Sequence, residues 1–253
     1  MEVNIKTSII LPCWIKNEEL YELTVNTLNS LAETATPEGD ELESIIIDNG
    51  SVEGINVMFE NSALYLRSQI NRGYSWAVNQ GIKLASESEL VCLANNDIKV
   101  TQNWLITAQE IFKSDPRIGS VHFKMVEYNQ PFVLGGNVWA TGKERWCTSS
   151  FFVARRQLFD EIGLFDERYG LGGYEDYDFH KRMYKAGWKT AYTNAAAYQH
   201  KDSSTSNLRD PNERTESDKR GRELFKKLYG EYPDVDFAKN FPKQMEAPWR
   251  PFP

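Results

Sequence analysis

The sequence predicts an α/β fold: a Rossmann-like, mostly parallel central sheet flanked by helices, then a mixed α+β half, in a single domain. Three observations predict it. Short β-branched runs alternate with helix-period segments in the front half, and strands separated by helices form βαβ units with right-handed crossovers. After Asp97 the alternation gives way to extended pieces without a fixed rhythm. The 253 residues are 41% hydrophobic and 26% charged, an ordinary globular composition on a chain long enough to bury a full core.

Taken in order, Thr7–Leu11 is β-branched and ends at Pro12, as a buried strand does. Glu18–Leu31 places Leu20, Leu23, Thr24, Leu28 and Leu31 near a 3.6-residue period, an amphipathic helix. Ser44–Asp48 is a second buried strand, stopped by the turn signal Asn49-Gly50. Ala63–Arg67 is a third strand, Tyr74–Ala85 a helix opened by Gly73, and Leu90–Ala94 a fourth strand broken by Asn95-Asn96-Asp97. In the back half, Trp104–Lys113 and Arg156–Ile162 read as helices. Gly119–Tyr128, Phe132–Trp139 and Thr148–Ala154 read as extended. Tyr174–Gly187 is a helix with acids at its start and Lys185 and Gly187 at its end. Ala191–Tyr198 is a last strand. Lys201–Asp218 is polar, with Pro211, and is expected to be a mobile loop. Lys219–Tyr229 is a basic amphipathic helix, and the Pro-rich tail after Tyr232 is expected to be extended. The expected organisation is a domain over 1–200, divided into a ligand-binding half at 1–98 and a second half at 99–200. Residues 201–253 pack on the same domain.

The net charge of −7 argues against a nonspecific grip on nucleic acid. Cys13, Cys92 and Cys147 are odd in number and far apart, which excludes a disulfide scaffold and suits a reducing cytoplasm. No apolar run approaches the ~20 residues of a membrane span, and the first residues lack a signal-peptide layout. A cytoplasmic chain with no integral membrane segment is the expectation.

Polar clusters sit where the front strands end: Pro12-Cys13-Trp14, Asp48-Asn49-Gly50-Ser51, Asn71-Arg72-Gly73 and Asn95-Asn96-Asp97. Ligands of open α/β sheets bind outside the carboxyl ends of the strands, so four clusters on one edge converge on one crevice. Their types suit a nucleotide. Asp48 can accept from a base N–H or a ribose hydroxyl, and Gly73 permits close backbone approach. Neither G-x-G-x-x-G nor a P-loop is present, so a diphosphate there needs another charge partner. A divalent cation on Asp97 would supply it, because hard cations share oxygen ligands with phosphates.

These residues resemble the family 2 glycosyltransferases of the GT-A fold. The resemblance rests on Ser8-Ile-Ile-Leu-Pro-Cys-Trp, Ile45-Ile-Ile-Asp-Asn-Gly-Ser, Asn71-Arg-Gly-Tyr-Ser-Trp-Ala-Val-Asn-Gln-Gly and Leu93-Ala-Asn-Asn-Asp-Ile. It continues through Thr148-Ser-Ser-Phe-Phe-Val-Ala-Arg-Arg, Gly163-Leu-Phe-Asp-Glu-Arg and Tyr174-Glu-Asp-Tyr-Asp-Phe-His-Lys-Arg to Ala186-Gly-Trp and His200. It covers about Thr7 to His200 and implies nucleoside-diphosphate-sugar chemistry. The donor would be a UDP-sugar first of all, with dTDP- or GDP-sugars as alternatives. By the same resemblance Asp48 holds the base, and Asn79 joins the donor-binding set of Pro12, Cys13, Trp14, Asn71, Gly73, Asn95 and Asn96. Asp97 is the last position of an Asp-x-Asp metal motif whose first acid is here Asn95. His200 is a second ligand for Mn²⁺ or Mg²⁺. The chain also departs from the family where Ile15 and Lys16 separate Trp14 from Asn17-Glu18.

Glu175 and Asp176 are neighbours on a predicted helix, so their side chains diverge by about 100° and cannot both face one substrate atom. An inverting transfer needs one carboxylate to take the acceptor's proton. The resemblance gives that role to Asp176 and leaves Glu175 to orient the acceptor. The alternative reading of these acids, with Asp178, is capping of a helix start. Trp146 lies in a polar loop and is a candidate acceptor contact. Trp139 is a second stacking candidate, Trp76 reads as core, and His122 and His180 read as structural. The acceptor itself stays open among glycan, lipid-linked sugar, protein and modified nucleic acid. Two other classes compete: a noncatalytic sugar-nucleotide or glycan-binding protein, and a nucleotidyltransferase. The latter needs a Gly-rich N-terminal loop with basic residues, which Ser8–Asn17 lacks.

Overall fold

The computed structural model describes residues 5–35, 40–55, 64–141, 150–201 and 208–233. The front half runs β1 (Lys6–Cys13), α1 (Glu18–Ala35), β2 (Glu41–Asn49), β3 (Leu64–Ser68), α2 (Tyr74–Leu84) and β4 (Leu90–Ala94). The back half follows with β5 (Ile98–Val100), α3 (Trp104–Ser114), β6 (Ile118–Glu127), β7 (Val138–Thr141), β8 (Phe151–Arg155) and α4 (Arg156–Ile162). It ends with a 3-10 turn at Glu167–Tyr169, α5 (Glu175–Lys185), β9 (Lys189–His200) and α6 (Pro211–Tyr229).

These strands form one sheet in the order β3-β2-β1-β4-β8-β6-β9-β5, with β7 also on β9. The front four are all parallel. Beyond β4 the sheet is mixed: β8 is antiparallel to β4 and β6, β6 is parallel to β9, and β5 and β7 are antiparallel to β9. The continuous apolar runs of β1, β2 and β4 reflect burial on both faces. Successive side chains alternate between faces. Ile9 and Leu11 therefore join α1 and α3 through Leu31, Trp104 and Phe112, while Ile10 joins α2, α4 and α5 through Val78, Leu158 and Phe179. Gly81 lets α2 lie close on β1, since a Cβ there would stand 2.2 Å from the Ile10 side chain.

The structure corrects several boundaries. β5, only three residues long, carries too little pattern to be read from sequence. Phe132–Asn137 is irregular, and the strand there is β7. Half of the expected mobile loop Lys201–Asp218 is helix: Pro211 opens α6 rather than breaking it, and Asp210 caps it by accepting from the Asn212 and Glu213 N–H groups. Proline fits the first helical turn because its missing N–H has no partner there in any case. Ala63, Thr148, Ser149, residues 202–207 and the tail from 234 lie outside the described residues.

Candidate active site

The parallel register of the first three strands sets Cys13, Asp48 and Arg67 side by side at their carboxyl edge. Asp48 is 1% exposed. Its Oδ1 accepts from the Ser51 N–H at 2.8 Å, and its Oδ2 accepts from the Tyr65 hydroxyl at 2.6 Å and Arg67 Nη1 at 2.8 Å. Arg67 Nη2 also donates to the Ser51 carbonyl at 2.8 Å. Cys13 is buried beside this group. Desolvation, then the Asp48 charge, pushes its thiol far above the usual range, so it is an inert wall rather than a nucleophile. Pro12 and Trp14 flank it half-buried, with Lys16 Nζ 4.8 Å from the Trp14 ring centre.

The amides of the next cluster brace the donor-side turn. Asn49 Nδ2 donates to Asn71 Oδ1 at 2.9 Å and the Gly73 carbonyl at 3.0 Å, and the Gly73 N–H donates to Asn71 Oδ1 at 2.9 Å. Gly73 has φ 93°, and a Cβ there would lie 1.8 Å from the Gly170 carbonyl oxygen, so glycine alone fits. Asn79 is 2% exposed and joins α2 to the segment before the 3-10 turn: its amide pairs with both the N–H and the carbonyl of Phe165, and with Glu167. That engagement commits the Asn79 amide to bracing the fold rather than to a donor contact.

At the end of β4, the missed strand β5 explains the geometry. Its antiparallel pairing sets Ile98 opposite His200, which brings His200 Nε2 to 3.0 Å from Asp97 Oδ1. Asn95 Nδ2 lies 3.3 Å from the same nitrogen. Asn96 turns inward and donates to Thr24 Oγ1 of α1 at 2.9 Å. Among the described residues no group of three or more His, Cys, Asp or Glu side chains gathers as a metal cage. The chain thus offers one carboxylate, one imidazole and one amide, a donor set that fits a hard or borderline divalent cation sharing its shell with phosphate oxygens.

The acids of the back half stand at the start of α5. Gly172 and Gly173 have φ of 120° and 113°, and Tyr174 also has positive φ, at 71°. This sharp turn delivers Glu175 and Asp176. As their spacing requires, they diverge: Glu175 is 8% exposed and Asp176 is half-buried. Glu175 Oε2 accepts from the Gly173 N–H at 2.5 Å. Its pKa is pushed up to about 7, first by desolvation, then by the Asp176 carboxylate, with Asp218 adding to it. Asp176 Oδ1 accepts from the Tyr177 N–H at 2.9 Å. His180 Nδ1 donates to the Asp176 carbonyl at 2.8 Å, and its Nε2 meets His122 Nε2 at 3.3 Å. Burial holds the His180 pKa down at about 4, so the ring is neutral near pH 7.

Helix α6 packs on this turn and on α5. Ser217 donates to the Gly172 carbonyl at 2.8 Å, and Tyr229 donates to Asp178 Oδ1 at 2.6 Å. A cavity of about 440 Å³ lies between the donor-side turn and α6, lined by Asn71, Arg72, Gly170, Leu171, Glu213, Glu216 and Arg220. Trp146 lies outside the described residues. Trp139 is half-buried with its ring 6.0 Å from that of Tyr192, and Trp76 is half-buried under the Arg72 guanidinium. Sequence reasoning missed Tyr65, Arg67 and Asp218. In the sequence Arg67 marks only a strand end; the signal that points to it is a basic residue closing the strand that follows Asp48's.

A parallel nucleotide-type sheet edge, closed by a mixed half that presents acids from a helix start, defines a glycosyltransferase of the GT-A fold. The profile of "Glycosyl transferase family 2" matches residues 8–163, and the chain belongs to that family. Among curated proteins it is similar to N-acetylglucosaminyl-diphospho-decaprenol L-rhamnosyltransferase of Mycobacterium tuberculosis, at 27% identity over 66% of this chain and 68% of that protein. It is also similar to poly-beta-1,6-N-acetyl-D-glucosamine synthase of Staphylococcus aureus, at 30% identity, covering 51% of this chain but only 30% of the synthase. Among solved structures, GalNAc-T7 with UDP, GalNAc and Mn²⁺ superposes with a TM-score of 0.64 at 14% identity, over 79% of this chain and 44% of that one. S. aureus TarS does so with 0.59 at 19%, over 78% and 36%. No described helix is long and apolar enough to cross a membrane.

Proposed function

We propose that this glycosyltransferase moves a sugar from a nucleoside-diphosphate donor, a UDP-sugar first of all, onto an acceptor hydroxyl, with inversion and with a divalent cation. The observation that carries the reading is the Asp97–His200 contact of 3.0 Å at the donor edge, together with a half-buried Asp176 on a turn that packs against the donor side through Gly73 and Gly170. Pro12, Cys13, Trp14 and Asp48 wall the base end. Asn71 and Gly73 shape the turn, and Asn95 and Asp97 close the phosphate end, with Asn96 bracing that end on α1 through Thr24.

Asp97 and His200 would hold Mn²⁺ or Mg²⁺, with the Asn95 amide beside them. The bound cation would neutralise the charge that develops on the leaving diphosphate. The remaining work belongs to the chain. Asp176 takes the proton of the acceptor hydroxyl as that oxygen bonds to the anomeric carbon and the carbon–phosphate-oxygen bond breaks. Glu175 holds the Gly173 amide and so fixes the turn on which the acceptor is oriented. Among the possible acceptors, a lipid-linked sugar is favoured by the name of the mycobacterial relative, and a glycan by that of the staphylococcal one.

Calorimetric titration of UDP tests the donor side. Mn²⁺ should tighten binding at least ~10-fold, since a charge-assisted contact contributes about 1.5–3 kcal/mol. The gain should vanish in Asp97→Ala and shrink in His200→Ala. Equal affinity with and without metal would remove the cation from the account.

A further inference from the structure

Asp48 is the residue whose place in the sequence suggests contact with the base, yet in the folded chain it is almost inaccessible. It is 1% exposed, and three donors already occupy its two oxygens. What stands next to it in register at the same strand edge is Arg67, with 24% of its side chain exposed. Two of the guanidinium's five N–H groups are fixed, one on Asp48 and one on the Ser51 carbonyl, each at 2.8 Å. A planar fork pinned from two directions cannot turn away from a ligand without breaking a buried ion pair, and removing one partner of such a pair is costly.

We infer that Arg67 is the group that reads the donor base, with Asp48 acting through it as the anchor that aims the guanidinium. This rests on the nucleotide-sugar reading above and adds a chemical selectivity to it. A guanidinium carries donors and no acceptor. Set against the 4-position of the ring, as we infer here, it complements a carbonyl there and opposes an exocyclic amine. Uracil and thymine offer a carbonyl at the 4-position, where cytosine offers an NH₂. The site is thus built for a keto pyrimidine, and the matched pair uridine and cytidine diphosphate isolates the effect. The two share ring size, ribose and charge on the diphosphate, and differ in donor and acceptor pattern along one edge.

The test is calorimetry with UDP and with CDP, both with Mn²⁺ present. The wild-type chain should bind UDP at least ~10-fold more tightly, the discrimination a well-placed base contact gives. Arg67→Met keeps an unbranched apolar stem and removes the donors. It should bring the two affinities within about 2- to 3-fold of each other while leaving the binding of Mn²⁺-pyrophosphate, which has no base, unchanged. The pyrophosphate control also reports that the variant is folded. CDP bound as tightly as UDP by the wild type, or a UDP preference that survives Arg67→Met, would overturn the assignment of Arg67 and leave the donor reading standing. Binding of pyrophosphate without either nucleotide would overturn both.

Discussion

At the scale of single residues, the two neighbouring acids at the start of α5 make opposite predictions. Asp176→Asn is nearly isosteric and removes only the proton acceptor. Turnover should fall roughly 10²- to 10⁴-fold, the usual contribution of a positioned base, while UDP affinity stays put. Loss of nucleotide binding in step with turnover would make Asp176 structural. Glu175 is buried with its pKa pushed up to about 7, above the ordinary glutamate value. A carboxyl with a raised folded-state pKa favours folding while protonated, and that advantage is lost as pH rises from about 4.5 through 7. Glu175→Gln mimics the protonated form. It should therefore raise Tm relative to wild type at pH 8, by a few degrees, and the gap should close toward pH 5. A gap that grows toward low pH would mean the carboxylate is stabilised where it lies. At this scale the sequence was only partly legible. Residue type marks Asp97 and His200 as ligand-capable, and the fold does bring them within 3.0 Å. Asn79 has the same polar character, yet it braces α2 against the Phe165 backbone. Nothing in a single sequence separates an amide that faces a crevice from one that closes a loop.

At the scale of elements, α6 has the largest consequence. Its composition reads as a basic helix with a polar loop before it, and neither feature says what it touches. The helix instead docks on the glycine turn ahead of Glu175 through Ser217 and Gly221, and on α5 through Phe225 against Tyr177; these three are its buried residues. A Cβ at Gly221 would stand 2.3 Å from the Gly173 carbonyl oxygen, a backbone atom that cannot yield. Gly221→Ala should therefore displace α6 and the turn together, costing about 1–3 kcal/mol and most of the turnover. Gly136→Ala, where a Cβ meets nothing within 4 Å, serves as the control and should be near neutral. Equal Tm and activity in the two variants would show that α6 is incidental to the site. β5 shows the opposite limit of legibility: three residues give no period to read, although their pairing sets His200 beside Asp97.

At the scale of the whole molecule, the front half was legible because both faces of its strands are buried. Long apolar runs separated by helix-period segments leave little choice but a parallel sheet. In the back half the main helices and strands were legible but their pairing was not, because β8 runs antiparallel between β4 and β6, and such mixed pairings are set by tertiary packing rather than by any local pattern. The two halves together pose the central claim: one crevice that binds a nucleotide sugar and a metal ion on the front side and activates an acceptor on the back. It is tested most directly by incubating the purified chain with a panel of nucleotide sugars and measuring release of nucleoside diphosphate, with Mn²⁺ and with EDTA. The account predicts slow hydrolysis of a uridine- or thymidine-diphosphate sugar that stops in EDTA, resumes with added Mn²⁺ and is absent in Asp97→Ala. Release that continues unchanged in EDTA and in Asp97→Ala would contradict it.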